Sequence, residues 1–142
     1  MSPVRKYFST KRASQVMQTP VITLCVNDDV DAALEVLHQH KISGAPVVSS
    51  EGTCVGVFSQ KDAARTTQSS ERNAVVACMT SPAITVSEHH SLLDVSAIMY
   101  SSHIHRVPVV DNLGRVVGII STMDIVNEII PAMAAEECQS KP

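Results

Sequence analysis

At 142 residues and 15.2 kDa the chain has the size of one compact domain, long enough to bury about two-thirds of the surface exposed by its unfolded form. A net charge of −3 offers nothing to a polyanion, and aromatic residues at 3 % with no tryptophan remove the usual stacking platforms for single-stranded nucleic acid. The first twenty residues lack an apolar signal core and no apolar run reaches membrane-spanning length. Cys25, Cys54, Cys78 and Cys138 show neither CxxC spacing nor a small-domain disulfide pattern, so a reduced, cytoplasmic protein is expected.

The chain starts with a basic stretch, Arg5, Lys6, Lys11 and Arg12, with no acid before Asp28. Residues 1–12 read as a flexible, solvated terminus. Pro20 then precedes a β-branched strand, Val21–Leu24, and Asn27, Asp28 and Asp29 are capping residues for a helix. Val30, Ala33, Leu34 and Leu37 fall at i, i+3, i+4 and i+7 on one helical face. Two strands follow, Ala45–Val48 and Val55–Ser59, joined by a turn over 49–52 in which Gly52 supplies the positive φ of a tight hairpin. A helix is expected after Ser59, and the polar segment Gln68–Arg72 reads as a linker.

The same elements then return. Ala83–Val86 is the strand, and Leu92, Val95, Ser96 and Met99 are the helical face. Val107–Val110 and Val116–Ser121 are the strand pair, turned through Asp111–Gly114. A last helix from Ser121 is expected to stop at Pro131, leaving a loose tail over 131–142. The offset is constant: 82−20, 108−46, 118−56 and 124−62 are all 62, so the copies align without a gap. One β-α-β-β-α unit has been duplicated, and the copies are expected to pack as pseudo-symmetric halves of an α/β fold. The nearly continuous apolar strands suit sheets covered on both faces.

Three blocks recur in both copies: Met-x-x-Pro-x-Ile-Thr (17–23 and 79–85), apolar-Pro-Val-Val (45–48 and 107–110), and Val-Gly-(Val/Ile)-(Phe/Ile)-Ser-x-x-Asp (55–62 and 117–124). With these the chain resembles the tandem cystathionine-β-synthase-type (CBS) domain pair, or Bateman module, in its stand-alone form. The resemblance places repeat 1 at 13–67, a linker at 68–74 and repeat 2 at 75–130. It implies two repeats packed through their sheets, with two clefts that commonly take AMP, ADP, ATP or S-adenosylmethionine. It puts Asp62 and Asp124 on the ribose, and a carboxylate does suit a cis-diol because it accepts charge-assisted bonds from both hydroxyls. Ser59 and Ser121 start the neighbouring helices, where free N–H groups can meet phosphate or hydroxyl oxygen. Ser-x-x-Asp is equally a capping box, and the two roles are compatible. Ile22, Thr23, Ile84 and Thr85 align with the positions lining the adenine slot, Thr bonding the base edge and Ile packing on its face. Plain β-propensity explains the same residues. Pro46 and Pro108 belong to the matched strand.

The copies differ before that strand, where Ser43-Gly44 stands in copy one and His105-Arg106 in copy two. The pair resembles the phosphate contact of AMP-sensing modules: Arg106 can fork onto phosphate oxygens and His105 adds a pH-dependent donor. Unequal clefts are expected, and no catalytic cofactor. The sequence holds no P-loop, GxSxG or HExxH, so it reads as a regulatory module and not an enzyme. A metal-responsive module using His89, His90, His103, His105 and the cysteines, or a ligand-free scaffold, are the alternatives. A homodimer through the apolar helix faces is expected, with an effector protein as partner and neither membrane nor nucleic acid.

Overall fold

The computed structural model describes residues 2–65 and 74–140; the expected linker lies outside them except for Ala74. Two helices come first, α1 (Pro3–Thr10) and α2 (Ala13–Val16). Copy one then gives β1 (Leu24–Cys25), α3 (Val30–Gln39), β2 (Gly44–Val48), β3 (Cys54–Ser59) and α4 (Gln60–Arg65). After a 3₁₀ turn at Val75–Ala77, copy two gives β4 (Val86–Ser87), α5 (Leu92–Ser102), β5 (Arg106–Val110), β6 (Val116–Ser121) and α6 (Thr122–Val126). The chain ends with α7 (Ile129–Ser140).

The fold is mixed α/β with two three-stranded sheets, ordered β1-β2-β3 and β4-β5-β6. β1 runs parallel to β2 through Leu24–Val47 and Cys25–Val48, and β2 runs antiparallel to β3. Both hairpin glycines take the expected positive φ, 85° at Gly52 and 79° at Gly114. The strands after Pro20 and Pro82 are later and shorter than the β-branched runs suggested. Residues 21–23 and 83–85 carry no strand pairing, and only Leu24–Cys25 and Val86–Ser87 do.

Each sheet has its own core. Leu24, Val30, Ala33, Leu37, Val47 and Phe58 are buried on the first; Val86, Val95, Met99, Val107, Val109 and Ile120 on the second. The helical faces read from the sequence are therefore core faces. Val30, Leu37, Leu92, Val95 and Met99 are all at most 6 % exposed, so they are already covered within one chain and are not available to a second. Ser96, the polar member of that face, donates its hydroxyl to the Leu92 carbonyl at 2.8 Å and so enters the apolar face satisfied.

Contacts divide the chain into two compact units that cut across the copies: residues 21–84 with 112–116, and residues 1–20 with 85–111 and 117–142. The lead-in Met-x-x-Pro segments explain this. In the first unit Thr80 pairs with Val57 of β3, Thr80 N–H donating to Val57 at 2.9 Å and Val57 N–H to Thr80 at 3.0 Å. In the second, Gln18 and Ile119 of β6 exchange the same two bonds at 2.8 and 3.2 Å. Each lead-in thus closes the outer edge of the other copy's sheet, where unpaired backbone groups would otherwise remain. The motif glycines make room for it. A Cβ on Gly56 would stand 2.7 Å from Met79 Sδ, and one on Gly118 would stand 2.6 Å from Met17 Cγ.

Several local expectations need correction. Residues 3–10 are helical, with Ser2 accepting from Arg5 N–H and Pro3 in the first turn, and Tyr7 hydroxyl donates to Glu128 at 3.2 Å. Asp29 sits at the N-cap of α3 without a side-chain bond. Asp28 instead accepts from Cys25 N–H at 2.8 Å and closes the turn before the helix. Pro131 does not end the last helix: α6 already stops at Val126, and Pro131 lies in the first turn of α7, where a missing N–H costs no helical bond.

Candidate functional site

The two Ser-x-x-Asp blocks stand where a strand passes directly into a short helix, β3 into α4 and β6 into α6. Ser121 Oγ accepts from Asp124 N–H at 3.2 Å, and Asp124 Oδ2 accepts from Ser121 N–H at 2.8 Å, a reciprocal capping box. In copy one, Ser59 Oγ accepts from Asp62 N–H at 3.3 Å, and Asp62 Oδ2 accepts from Ser59 N–H at 2.9 Å and Ser59 Oγ at 3.2 Å. Both carboxylates are buried at the junction, Asp62 3 % and Asp124 9 % exposed.

The remaining oxygen of each meets the lead-in segment. Thr80 Oγ1 donates to Asp62 Oδ1 at 3.1 Å, and Gln18 Nε2 donates to Asp124 Oδ1 at 3.0 Å. Positions 18 and 80 match under the 62-residue offset. Sequence reasoning had passed over both, because each lies far along the chain from the aspartate it meets.

Ser59, Asp62 and Thr80 line a cleft of about 500 Å³ together with Lys61 and Ala64. Lys61 gives this cleft a cation, whereas its counterpart in copy two, Met123, is apolar and 62 % exposed. The basic residue was visible in the sequence one place before Asp62, and only the cleft gives it meaning.

His105 and Arg106 are exposed at the start of β5. The His105 carbonyl accepts from Thr122 N–H at 2.9 Å and Thr122 Oγ1 at 3.2 Å, which ties this corner to the start of α6. Its side chain borders a second cavity of about 300 Å³ lined by Met99, Tyr100, His103, Ile104 and Ile125, among others; Arg106 and Asp124 are not in that lining. Thr23 and Ile84 are exposed and Ile22 and Thr85 half-buried, all within the unpaired stretches before β1 and β4. Pro46 and Pro108 are buried inside β2 and β5. Pro46 precedes the first residue paired with β1, so its missing N–H falls where the strand has no neighbour on that side.

Among the described residues no three of His, Cys, Asp or Glu come together in a way that could hold a metal ion. His90 Nδ1 is committed as an acceptor to Ser87 N–H at 3.0 Å. Burial pushes the Cys54 thiol pKa up, against a smaller opposing effect from its bond to the Gly56 carbonyl. Among the described residues no helix is long and apolar enough to cross a membrane.

Comparison with known proteins identifies the domain type. The CBS domain profile matches residues 13–68 and 74–131. The inosine-5'-monophosphate dehydrogenase of Methanocaldococcus jannaschii is 30 % identical over 122 residues, which cover 86 % of this chain and 24 % of that protein. The chain therefore spans about a quarter of the length of that relative. Among solved structures, the CBS domain pair of protein MJ0100 in complex with 5'-methylthioadenosine and S-adenosyl-L-methionine is 29 % identical with a TM-score of 0.75, covering 85 % of this chain and 97 % of that one. The CBS domain of a CBS domain containing membrane protein from Sphaerobacter thermophilus is 26 % identical with a TM-score of 0.73, covering 87 % and 91 %. With two matched domains in tandem and the same fold in its structural neighbours, this chain belongs to the CBS domain family.

Proposed function

We propose that the chain is a regulatory module that binds an adenosine-containing small molecule, AMP, ADP, ATP or S-adenosylmethionine, and passes the bound state to a partner protein. The observation that carries the reading is the duplicated, buried Ser-x-x-Asp box, with a carboxylate held in place by its own serine at 2.8–2.9 Å. A carboxylate oriented before binding loses little freedom when it accepts a ribose hydroxyl, so its charge-assisted bond contributes nearly in full. The MJ0100 domain pair, similar along 97 % of its length, supports the ligand class.

In this reading the ribose hydroxyls are accepted by an aspartate of the box, Asp62 or Asp124, with Ser59 or Ser121 beside it. Thr23 and Thr85 bond the base edge, Ile22 and Ile84 pack on its face, and Pro46 and Pro108 stiffen the strands beneath. Phosphate is met by Arg106 and His105 in copy two and by Lys61 in copy one. The module works as a cytoplasmic homodimer. Its second-copy contact then lies on the exposed apolar residues Met123, Ile130 and Met133 of α6 and α7, since the α3 and α5 faces are internal.

Thermal unfolding with AMP, ADP, ATP, S-adenosylmethionine and zinc, each at about 100 times a low-micromolar Kd, tests the reading. A true ligand adds about 2.7 kcal/mol by mass action. An adenosine ligand that raises the melting temperature while zinc does not supports the proposal; zinc alone doing so refutes it.

A further inference from the structure

We infer that Gln18 and Thr80 are the specificity-determining residues of the two carboxylates: Gln18 yields Asp124 to a vicinal diol, whereas Thr80 keeps Asp62 as a structural post. The inference rests on the adenosine-ligand reading above and refines which aspartate reads the ribose.

Three differences between otherwise equivalent places carry it. The first is acceptor capacity. A carboxylate has about four acceptor positions. Asp62 gives at least three of them to Ser59 N–H, Ser59 Oγ and Thr80 Oγ1. Among the described residues Asp124 takes one donor on each oxygen, Ser121 N–H on Oδ2 and Gln18 Nε2 on Oδ1. One further position thus stands on each oxygen of Asp124, the pattern that two adjacent hydroxyls require.

The second difference is the donor. Thr80 reaches Asp62 from a short β-branched side chain, stiff at χ1, whose backbone is fixed to Val57 by bonds of 2.9 and 3.0 Å. Gln18 has the same backbone anchor on Ile119 and both residues are exposed, but the Gln18 amide is carried on a longer side chain with more rotatable bonds. Gln18 can therefore exchange Asp124 for water at little cost while its backbone stays in place. The third difference is exposure: Asp124 is 9 % exposed against 3 % for Asp62. The cleft at Asp62 adds Lys61, a cation that suits an anion.

Calorimetric titration with AMP and 2'-deoxy-AMP tests this. The wild type is expected to bind AMP about tenfold or more tightly than 2'-deoxy-AMP at one site per chain. Asp124→Asn brings the two ligands within about twofold. Gln18→Thr puts the short donor on Asp124 and weakens AMP several-fold. Gln18→Thr binding AMP like wild type, or Asp124→Asn retaining the full preference for AMP, overturns the inference while leaving the adenosine reading intact. A folded wild type that binds neither nucleotide overturns both.

Discussion

Gly118→Ala is the sharpest test of the crossed lead-in segments. The nearest atoms to the new methyl all belong to Met17: its sulfur, Cγ at 2.6 Å and Cβ at 2.8 Å. Contacts below 3.0 Å cannot stand, so Met17 must move. Overpacking of this kind costs about 1–3 kcal/mol. Met17 adjoins Gln18, whose two bonds to Ile119 seal the edge of β6, and loosening them adds about 1 kcal/mol each. A total of about 3–5 kcal/mol lowers the melting temperature by about 6–20 °C for a domain of this size. Met17→Ala removes the sulfur and Cγ, so the double variant should be more stable than the sum of the two single losses by about 1 kcal/mol or more. At Gly56 the obstructing atoms include the Thr80 carbonyl oxygen at 2.8 Å, which no side-chain change removes, so Met79→Ala should rescue Gly56→Ala less well. Urea and thermal unfolding of the six variants give all the terms. Gly118→Ala melting within 2 °C of wild type, or costs at 17 and 118 that simply add, would refute the packing argument.

Other outcomes follow from the same geometry. Arg106→Ala should erase the preference of its site for AMP over adenosine, and wild-type binding there should weaken with salt; equal affinity of wild type for adenosine and AMP makes Arg106 a plain surface residue. Ile130, 70 % exposed on α7, should hold the homodimer, so Ile130→Lys should convert a dimer of about twice the chain mass to monomer in light scattering; a wild type at 15.2 kDa across the micromolar range removes the dimer altogether. Cys54 is partly buried with its thiol pKa raised by that burial, which lowers its share of reactive thiolate, whereas Cys25 is exposed to reagent. Alkylation at pH 8 followed by peptide mass spectrometry should find Cys25 modified first and Cys54 gaining as pH rises; the reverse order contradicts the burial argument.

Much of the fold was legible because its signals are local. Gly52 and Gly114 announced the hairpins since only positive φ turns the chain there, and the i, i+3, i+4, i+7 pattern found the buried faces of α3 and α5. The same pattern could not say how much of those faces one chain covers by itself, so they stood as candidates for both core and dimer surface. Residues 21–23 carry β-propensity but lie outside the stretch of β1 that meets β2. α1 had a readable start in Ser2 and Pro3, outweighed in the sequence by the run of basic residues. At the site, Ser-x-x-Asp was visible because its capping bonds lie within four residues. Gln18 and Thr80 were not: 106 positions separate Gln18 from Asp124, and a constant repeat offset gives no hint of which copy a segment will cover.

Because the lead-ins cross between copies, the order of synthesis acquires a physical meaning. The first sheet can form as soon as β3 leaves the ribosome, yet its outer strand stays open until Thr80 emerges some twenty residues later. The second sheet waits for nothing, since Met17 and Gln18 have preceded it. A fragment ending at residue 67 should accordingly behave as an adhesive open edge and aggregate, while one extended to residue 84 carries its own seal. The two repeats are equal in sequence pattern but not as independent pieces, since residues 74–84, which the repeat pattern marks as the approach to copy two, belong with copy one.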